Sequence, residues 1–312
     1  MTRVGAIDCG TNTIKLLVAD LDVATGAVEQ RVREMRIVRL GQDVDRTGRL
    51  ADEAVGRTLE AVEEYAAILD EQQVDVLRFC ATSATRDASN GDSFRADVRE
   101  RLGVEPEVVS GEEEAALAYD GATRSLRARE DLPRPFLVVD IGGGSTEVVL
   151  GPEVGAGGPV GARSLDVGSV RLTERLMSSD PPTAAEVAAT TAAVDAALDT
   201  LPGHGVDLTV AGTVVGVAGT VTTLATLLAG LDHWDRSVIH HSSFAVAEVH
   251  AMIERLLRLT VTERVAMHVP QGRADVIGAG ALVLDRVLRR TPVTSLLVSD
   301  ADILDGIAWS RA

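Results

Sequence analysis

The chain has very little lysine and cysteine, and each shortage excludes classes of site. Among 30 basic residues, Lys15 is the one lysine. It follows Ile14 rather than a glycine, which excludes a Walker A phosphate loop, and its place in an apolar run argues against a Schiff base. Cys9 and Cys80 are too few for a disulfide framework or a four-thiolate zinc site. We therefore expect a reduced, cytoplasmic protein.

The chain also lacks excess positive charge, since its 312 residues have a formal net charge of −17. Affinity for nucleic acid depends on basic surface, so nucleic acid is not an expected partner. The net charge does not exclude an anionic substrate. Charges are screened over about 8 Å at physiological salt, so the charges within the binding site affect such a substrate more than the net charge of the protein. Such a substrate would need a metal ion or an arginine patch where it binds.

One uncharged stretch, 208–231, has the length of a membrane span, which needs roughly 20 apolar residues. It contains six threonines and four glycines, and Asp207 and Asp232 flank it. A buried strand, a glycine turn and a buried helix explain this composition better. We therefore expect no membrane association.

Hydrophobic periodicity predicts alternating strands and helices, and the pattern restarts after a charged, proline-bearing stretch at 127–135. Before that stretch we predict strands 3–9, 13–22, 27–40, 74–82 and 104–110 and helices 51–72, 91–102 and 111–128. After it we predict strands 135–143, 145–151, 160–167, 207–218 and 295–300 and helices 169–178, 183–200, 220–230, 245–258, 274–290 and 301–311. The predicted domains are 1–128 and 129–300, with the C-terminal helix, within 301–312, packing back on the first.

The restart is an internal repeat. Residues 8–13, DCGTNT, and residues 140–145, DIGGGS, both follow a strand with Asp, one residue, Gly and a small polar turn, and an apolar strand comes next. Two copies in a short chain predict duplicated domains whose turns face each other across a cleft.

The residues of the two turns predict phosphate binding. A turn built from Gly, Ser, Thr and Asn exposes backbone N–H groups and hydroxyls, which together bind anions. The aspartates before the turns, Asp8 and Asp140, would repel phosphate unless a divalent cation lay between, so both are candidates to position Mg²⁺ directly or through water. The alternative is that both motifs are ordinary hairpin turns.

Three further segments contain candidate site residues. AGTVTT (218–223) enters a helix at a glycine turn, with Thr220 either in an anion site or simply as the N-cap. ATSATRDA (81–88) places Thr82, Ser83 and Arg86 at a strand end, where α/β sheets bind ligands. In EMRIVRLG (34–41), strand spacing puts the two arginines on opposite faces, so at most one enters a given site.

The acidic residues need separate treatment. Glu112 and Glu113 open a helix, where the helix dipole stabilises acids whatever their function. Glu147 lies in an apolar strand close to the second turn. A carboxylate near a phosphate site is either a metal ligand or the base that orients an attacking water.

The motifs DCGTNTIKLL, ATSATR, SGEEEA, DIGGGSTE and AGTVTT occur in this order, and together they resemble the exopolyphosphatase / guanosine pentaphosphate phosphohydrolase (Ppx/GppA) family over essentially the whole chain. The resemblance implies the actin-like α/β fold, two ribonuclease-H-like domains flanking a cleft. It implies an Mg²⁺-dependent hydrolase, with Mn²⁺ as an alternative cation. The implied substrates are inorganic polyphosphate, guanosine pentaphosphate, or both; a homodimer is an open option.

The resemblance also implies roles for individual residues. Glu114, the glutamate before alanine in SGEEEA, is the implied catalytic base, with Glu113 as its rival. Glu147 is implied to hold the water or the metal, and Asp8 and Asp140 to be linked to the metal. The implied phosphate-binding residues are Gly10, Thr11, Asn12, Thr13, Thr82, Arg86, Gly142, Gly143, Gly144, Ser145, Thr146, Gly219 and Thr220.

The chain departs from the family pattern in its length and in its first turn. It has the length of short two-domain members, without the extra helical domain of long ones, which puts processive binding of very long polyphosphate in question. The first turn is Cys-Gly-Thr-Asn-Thr, where many members have a serine.

Three alternative functions remain compatible with the sequence. They are an ATP-dependent small-molecule kinase of the same fold, an actin-like nucleotide switch or filament protein, and a sensor with vestigial catalysis. His240 and His241 have no assigned role, and we expect ordinary surface or loop residues. In a strand, two adjacent histidines would point to opposite faces and would not share a metal.

Overall fold

A computed structural model describes residues 1–153 and 157–312. The chain forms two compact units, Met1–Gly121 with Ile303–Ala312 and Ala122–Asp302. Within the described residues, no helix is long and apolar enough to cross a membrane.

The first unit, unit 1, is a five-stranded sheet with helices on both faces. Its sheet has the order β3-β2-β1-β4-β5, in which β1, β2 and β3 pair antiparallel and β4 and β5 continue parallel to β1. The strands are β1 Thr2–Cys9, β2 Thr13–Asp22, β3 Ala27–Ile37, β4 Val76–Ala81 and β5 Glu107–Val108. The helices are α1 Val44–Thr47, α2 Asp52–Glu71, α3 Ser83–Asp87, α4 Gly91–Leu102, α5 Gly111–Thr123 (which ends just beyond the unit) and α13 Ile303–Trp309.

The alternating side chains of β1 and β2 explain the two layers of helices. One set, including Ile7 and Leu16, packs with Tyr65 of α2 and Phe94 of α4. The opposite set packs with α5 and with α13; this second cluster contains Val4, Ala6, Leu17, Ala19, Leu21, Leu117, Ala118, Ile303, Leu304 and Ile307. Because successive residues of a strand face opposite sides, a strand that is apolar throughout must be covered on both faces.

The second unit, unit 2, repeats this arrangement. Its sheet has the order β10-β11-β9-β6-β7-β8, in which β6, β7 and β8 pair antiparallel and β9 and β11 continue parallel to β6. The strands are β6 Phe136–Ile141, β7 Thr146–Leu150, β8 Gly161–Leu165, β9 Thr213–Val217, β10 Ser243–Ala245 and β11 Ser295–Val298. The helices are α6 Ser169–Leu176, α7 Ala184–Leu198, α8 Ala218–Leu228, α9 Arg236–Ile239, α10 Val246–Leu257, α11 Val261–Ala266 and α12 Ile277–Leu288.

Helix α12 is the centre of the unit 2 core. It is buried along nearly its whole length and contacts α6, α7, α8 and α10. Gly280 permits this packing, since an added Cβ there would lie 2.5 Å from the Thr220 hydroxyl and 3.0 Å from Ser169. The glycine therefore lets the helix that follows β9 and the helix that follows β8 both approach α12.

The first four strands have the same order in both units, namely third, second, first and fourth, and one further parallel strand follows, β5 in unit 1 and β11 in unit 2. Unit 2 adds β10, which pairs antiparallel with β11 at the edge of the sheet. The shared order is the topology of a ribonuclease-H-like domain, and its duplication is the actin-like fold class. The predicted fold class is confirmed.

Several local predictions are wrong. Of the predicted strand 104–110, only Glu107–Val108 is a strand. Strand β3 was predicted to extend to residue 40 but ends at Ile37, because Arg39 takes a left-handed backbone conformation with φ of 51°. The expectation that His240 and His241 are surface or loop residues is correct, since both lie in a turn after α9. His241 has φ of 64°, and the two rings stack with centroids 3.7 Å apart instead of pointing apart.

Candidate active site

The two repeated turns have the same closing hydrogen bond. In unit 1 the Gly10 N–H donates to the Thr13 carbonyl at 2.9 Å, and in unit 2 the Gly142 N–H donates to the Ser145 carbonyl at 3.0 Å. Each turn joins the first two antiparallel strands of its sheet. The sequence repeat is therefore a repeat of backbone geometry.

In each unit, backbone N–H groups of a neighbouring segment donate hydrogen bonds to the carbonyls of the turn. In unit 1 the Gly41 N–H donates to the Thr11 carbonyl, and two amides, those of Val38 and Arg39, donate to the Asn12 carbonyl. In unit 2 the first amides of α6 donate to the carbonyls of Gly142 and Gly143. Gly41 and Gly168 allow these approaches, because an added Cβ would overlap Thr11 in one case and Gly143 in the other.

This attachment fixes the direction of the amide groups of the turns. The N–H of a trans peptide points opposite to the C=O of the same peptide unit. The amides of Asn12 and Thr13 in unit 1, and of Gly143 and Gly144 in unit 2, therefore point away from the segments that bind the carbonyls. Adjacent N–H groups directed to one side make a concave binding site for an anion such as phosphate.

The aspartates before the turns have different partners across the sheet. Asp8 lies opposite Lys15 in the β1–β2 register, and its Oδ2 is 3.2 Å from the Lys15 Nζ. Asp140 lies opposite Glu147 in the β6–β7 register, and both carboxylates are buried. Equivalent positions of the repeat therefore hold an ion pair in unit 1 and two acids in unit 2.

Two buried acids thus lie side by side in unit 2. Like charges directly opposite each other on paired strands are destabilising. Glu147 Oε1 accepts a hydrogen bond from the Ser164 hydroxyl of β8 at 2.7 Å. Two hard oxygen donors side by side suit Mg²⁺, which is commonly bound by one or two carboxylates together with water and substrate phosphates. Within the described ranges, no group of three or more His, Cys, Asp or Glu side chains is arranged as a metal site.

The end of β4 adds hydroxyls and a guanidinium to the first turn of unit 1. Thr82 and Ser83 are buried, and the Ser83 hydroxyl is 2.9 Å from the Thr11 hydroxyl. The Arg86 Nη1 donates to the Val109 carbonyl at 2.8 Å and to Glu114 Oε2 at 3.1 Å. Strand β4 is thus the element that brings polar groups beside the turn, as the strand-end argument predicts.

Glu114 is the buried acid of this cluster. Its side chain is 9% exposed, whereas that of Glu113 is 45% exposed. Burial raises the pKa of Glu114 to about 7, and Asp8 adds to the rise, while Arg86 and a hydrogen bond from Thr82 oppose it. A carboxylate with this pKa binds and releases protons near neutral pH, as a general base must.

Glu113 is directed to a different partner. Its Oε1 is 2.5 Å from the Arg78 Nη2 of β4. Successive helical residues are about 100° apart around the axis, so two adjacent glutamates in the first turn of α5 cannot point the same way. The first turn of α5 therefore presents Glu114 to the Thr82 and Arg86 cluster and turns Glu113 to Arg78.

The AGTVTT segment differs in detail from its prediction. Helix α8 begins at Ala218, which has φ of 66°, and follows Val217 as the N-cap. Thr220 is therefore not the N-cap, and its hydroxyl lies against α12. The Arg273 guanidinium packs on Gly219, where an added Cβ would be 2.6 Å away, and Nη1 donates to the Gly219 carbonyl at 3.3 Å.

Sequence reasoning missed Lys15, Arg78 and Arg273 as neighbours of the candidate site residues. Aligning the two repeats was one signal for Lys15, since it follows Asp8 at the same interval as Glu147 follows Asp140. For Arg78 and Arg273, no local sequence pattern indicates a place near the site. Thr146 was predicted to bind phosphate. Its side chain is buried, and its hydroxyl instead donates to the Val167 carbonyl at 2.7 Å.

Comparison with known proteins assigns the chain to a family. Residues 21–311 match the model of the Ppx/GppA phosphatase family. The chain belongs to this family. It is 45% identical to Exopolyphosphatase 2 of Mycobacterium tuberculosis, and the alignment covers 100% of this chain and 99% of that protein.

Solved structures agree with this membership. An exopolyphosphatase-like protein, 42% identical, superposes with a TM-score of 0.94 over 100% of this chain and 98% of its own. An exopolyphosphatase from Cytophaga hutchinsonii, 25% identical, superposes with a TM-score of 0.89 over 99% of this chain and 97% of its own. The resemblance inferred from the five motifs is confirmed.

Proposed function

We propose that this chain is an exopolyphosphatase that releases the terminal orthophosphate of inorganic polyphosphate. The observation that carries the proposal is the buried carboxylate of Glu114 beside Arg86 and Thr82. The names of the similar proteins support the same substrate.

In the proposed reaction a water molecule attacks the terminal phosphorus in line with the leaving oxygen. Glu114 orients this water and accepts its proton as the new P–O bond forms. The bridging P–O bond breaks, and its electron pair stays on the oxygen of the shortened chain. A positioned base typically contributes about 10²–10⁴-fold to the rate.

The other groups are proposed to bind and orient phosphate. In unit 1 these are the amides of Asn12 and Thr13, the hydroxyls of Thr11 and Thr82, and the Arg86 guanidinium, which can donate to phosphate oxygens. In unit 2 they are the amides of Gly143 and Gly144. Fixed donors of this kind stabilise the charge that develops on the oxygens without reorganising during the reaction.

For the cation we propose Asp140 and Glu147 as the protein ligands. Asp8 was an equal candidate by sequence, but the residue opposite it is Lys15, with which it forms an ion pair, whereas the residue opposite Asp140 is a second carboxylate. A bound Mg²⁺, or Mn²⁺ as the alternative, would neutralise phosphate charge. Asp140 and Glu147 would hold it, and the Ser164 hydroxyl would orient Glu147.

The test is phosphate release measured side by side from short polyphosphate, long polyphosphate and guanosine pentaphosphate, with Mg²⁺, with Mn²⁺ and with a chelator. We expect release from polyphosphate, with short chains preferred, and loss of release with the chelator. Release from the nucleotide alone would replace the proposed substrate while keeping the proposed base. Release from none of them would refute the hydrolase proposal, and ATP-dependent kinase activity would be tested next.

A further inference from the structure

Arg78 of β4 lies at the centre of an ionic network in unit 1, and its side chain is 9% exposed. The Nε and Nη2 groups donate to Glu107 Oε2 of β5 at 2.9 and 2.8 Å, and Nη2 also donates to Glu113 Oε1 of α5. The Nη1 group donates to the Ser310 hydroxyl at 2.8 Å. One guanidinium thus binds three separate segments of the chain.

Two of these segments are the two ends of the connection that leads to Glu114. Glu107 begins β5, and Glu113 stands one residue before Glu114 in the first turn of α5. Arg86 binds the middle of the same connection through the Val109 carbonyl. It also binds the carboxylate of Glu114 itself. Arg78 holds the ends of the connection, and Arg86 holds its middle.

The charges of the network are balanced, which suits a fixed structural connection. Arg78 faces Glu107 and Glu113, and Arg311 also donates to Glu107. Two cations and two anions therefore meet in one cluster. A planar guanidinium with several fixed donors can hold two carboxylates and a hydroxyl at once, which an ammonium group cannot do with the same geometry.

We propose that Arg78 is a positioning residue for hydrolysis: by holding Glu113 and Glu107 it fixes the rotation of the first turn of α5 and so the direction of Glu114. This inference rests on the proposed function. Arg78 acts through Glu113 and does not touch the reacting atoms. The outward ion pair of Glu113 is then the reason why Glu114, and not its neighbour, is turned toward Thr82 and Arg86.

The expected effect of losing this support is a loss of turnover. A small misplacement of a reacting group can cost about 10²-fold in rate. We expect Arg78→Met to lower kcat for polyphosphate by about 10–100-fold with KM changed by less than about threefold, because the phosphate-binding turn is left in place. Arg78→Lys, which keeps the charge, should recover part of kcat.

The decisive experiment is a double-mutant cycle between Arg78→Met and Glu113→Gln, measured as kcat on short polyphosphate. If Arg78 acts through Glu113, the double variant has about the same kcat as Arg78→Met alone, since the second change removes a contact already lost. Arg101→Met is the matched control, because it removes another arginine–glutamate pair of unit 1, that with Glu63. The control should keep the kcat of the wild type.

Two results would overturn the proposal. One is a folded Arg78→Met variant with the kcat of the wild type, and the other is a double variant in which the two losses multiply. Should Arg78→Met fail to fold, Glu113→Gln alone decides, because its side chain is half-exposed: it must lower kcat while leaving Tm within the range of the control. A wild-type enzyme inactive on polyphosphate would refute the proposed function, a result distinct from either of these.

Discussion

Replacing Glu114 by glutamine should affect activity and stability in opposite directions. The substitution keeps the size of the side chain but removes its ability to accept a proton from water. We expect kcat to fall by about 10²–10⁴-fold, the contribution of a positioned general base. The same change removes a carboxylate that is costly to bury.

The size of the stability effect follows from the pKa of Glu114. Burial raises this pKa from 4.5 to about 7. Since a tenfold change in proton affinity is worth about 1.4 kcal/mol, the charged form is disfavoured in the folded state by about 3 kcal/mol. The favourable contact with Arg86 is already included in this pKa, so we expect an increase of up to about 3 kcal/mol in the free energy of unfolding at pH 8.

The size of this stability difference depends on pH. A carboxyl group whose folded pKa is raised stabilises the protein fully below the unfolded pKa of 4.5, and this stabilisation is lost as pH rises to about 7. Glutamine does not titrate, so the variant lacks this loss. The difference between Glu114→Gln and the wild type should therefore grow between pH 4.5 and about 7 and stay constant above it.

The assay is urea denaturation of both proteins at pH 5 and pH 8, together with phosphate release at pH 8. Glu113→Gln is the matched control: it loses an ion pair with Arg78, so it should not gain stability, and its activity should fall much less. A Glu114→Gln variant that hydrolyses polyphosphate normally, beside an inactive Glu113→Gln, would reverse the assignment of the base. Equal stability differences at the two pH values would contradict the burial argument.

Three other predictions use separate parts of the structure. In the wild type, kcat/KM for polyphosphate should fall below about pH 7 as Glu114 is protonated, which a pH–rate profile would detect; a profile flat to pH 5 would contradict it. Asp140→Asn should raise the Mg²⁺ concentration needed for half-maximal activity by about 10-fold or more, measured by metal titration, whereas Lys15→Met should leave that concentration unchanged. Gly168→Ala should lower the free energy of unfolding by about 1–3 kcal/mol because its Cβ overlaps the second turn, whereas Gly56→Ala, in open space within a helix, should raise it by up to about 1 kcal/mol in the same urea experiment.

The sequence by itself determined the repeat and the chemistry of the turns. Turn formation depends on residues close in the chain, and DCGTNT and DIGGGS contain the small residues that a tight, anion-binding turn requires. The order of strands and helices around these motifs predicted two repeated α/β domains, and the actin-like fold class followed from the resemblance of the five motifs to the family. Local patterns were sufficient here because the hydrogen bond that closes each turn spans only three residues.

Tertiary structure alone decided which charged groups meet. The distinction between Glu113 and Glu114 depends on the rotation of α5 against β4, and composition says nothing about that rotation. Arg78 reaches Glu107, Glu113 and Ser310 only because β4, β5 and the C-terminal helix pack side by side. Contacts between residues so distant in the chain are set by the packing of the core, and the side chains that take part have no pattern of their own in the sequence.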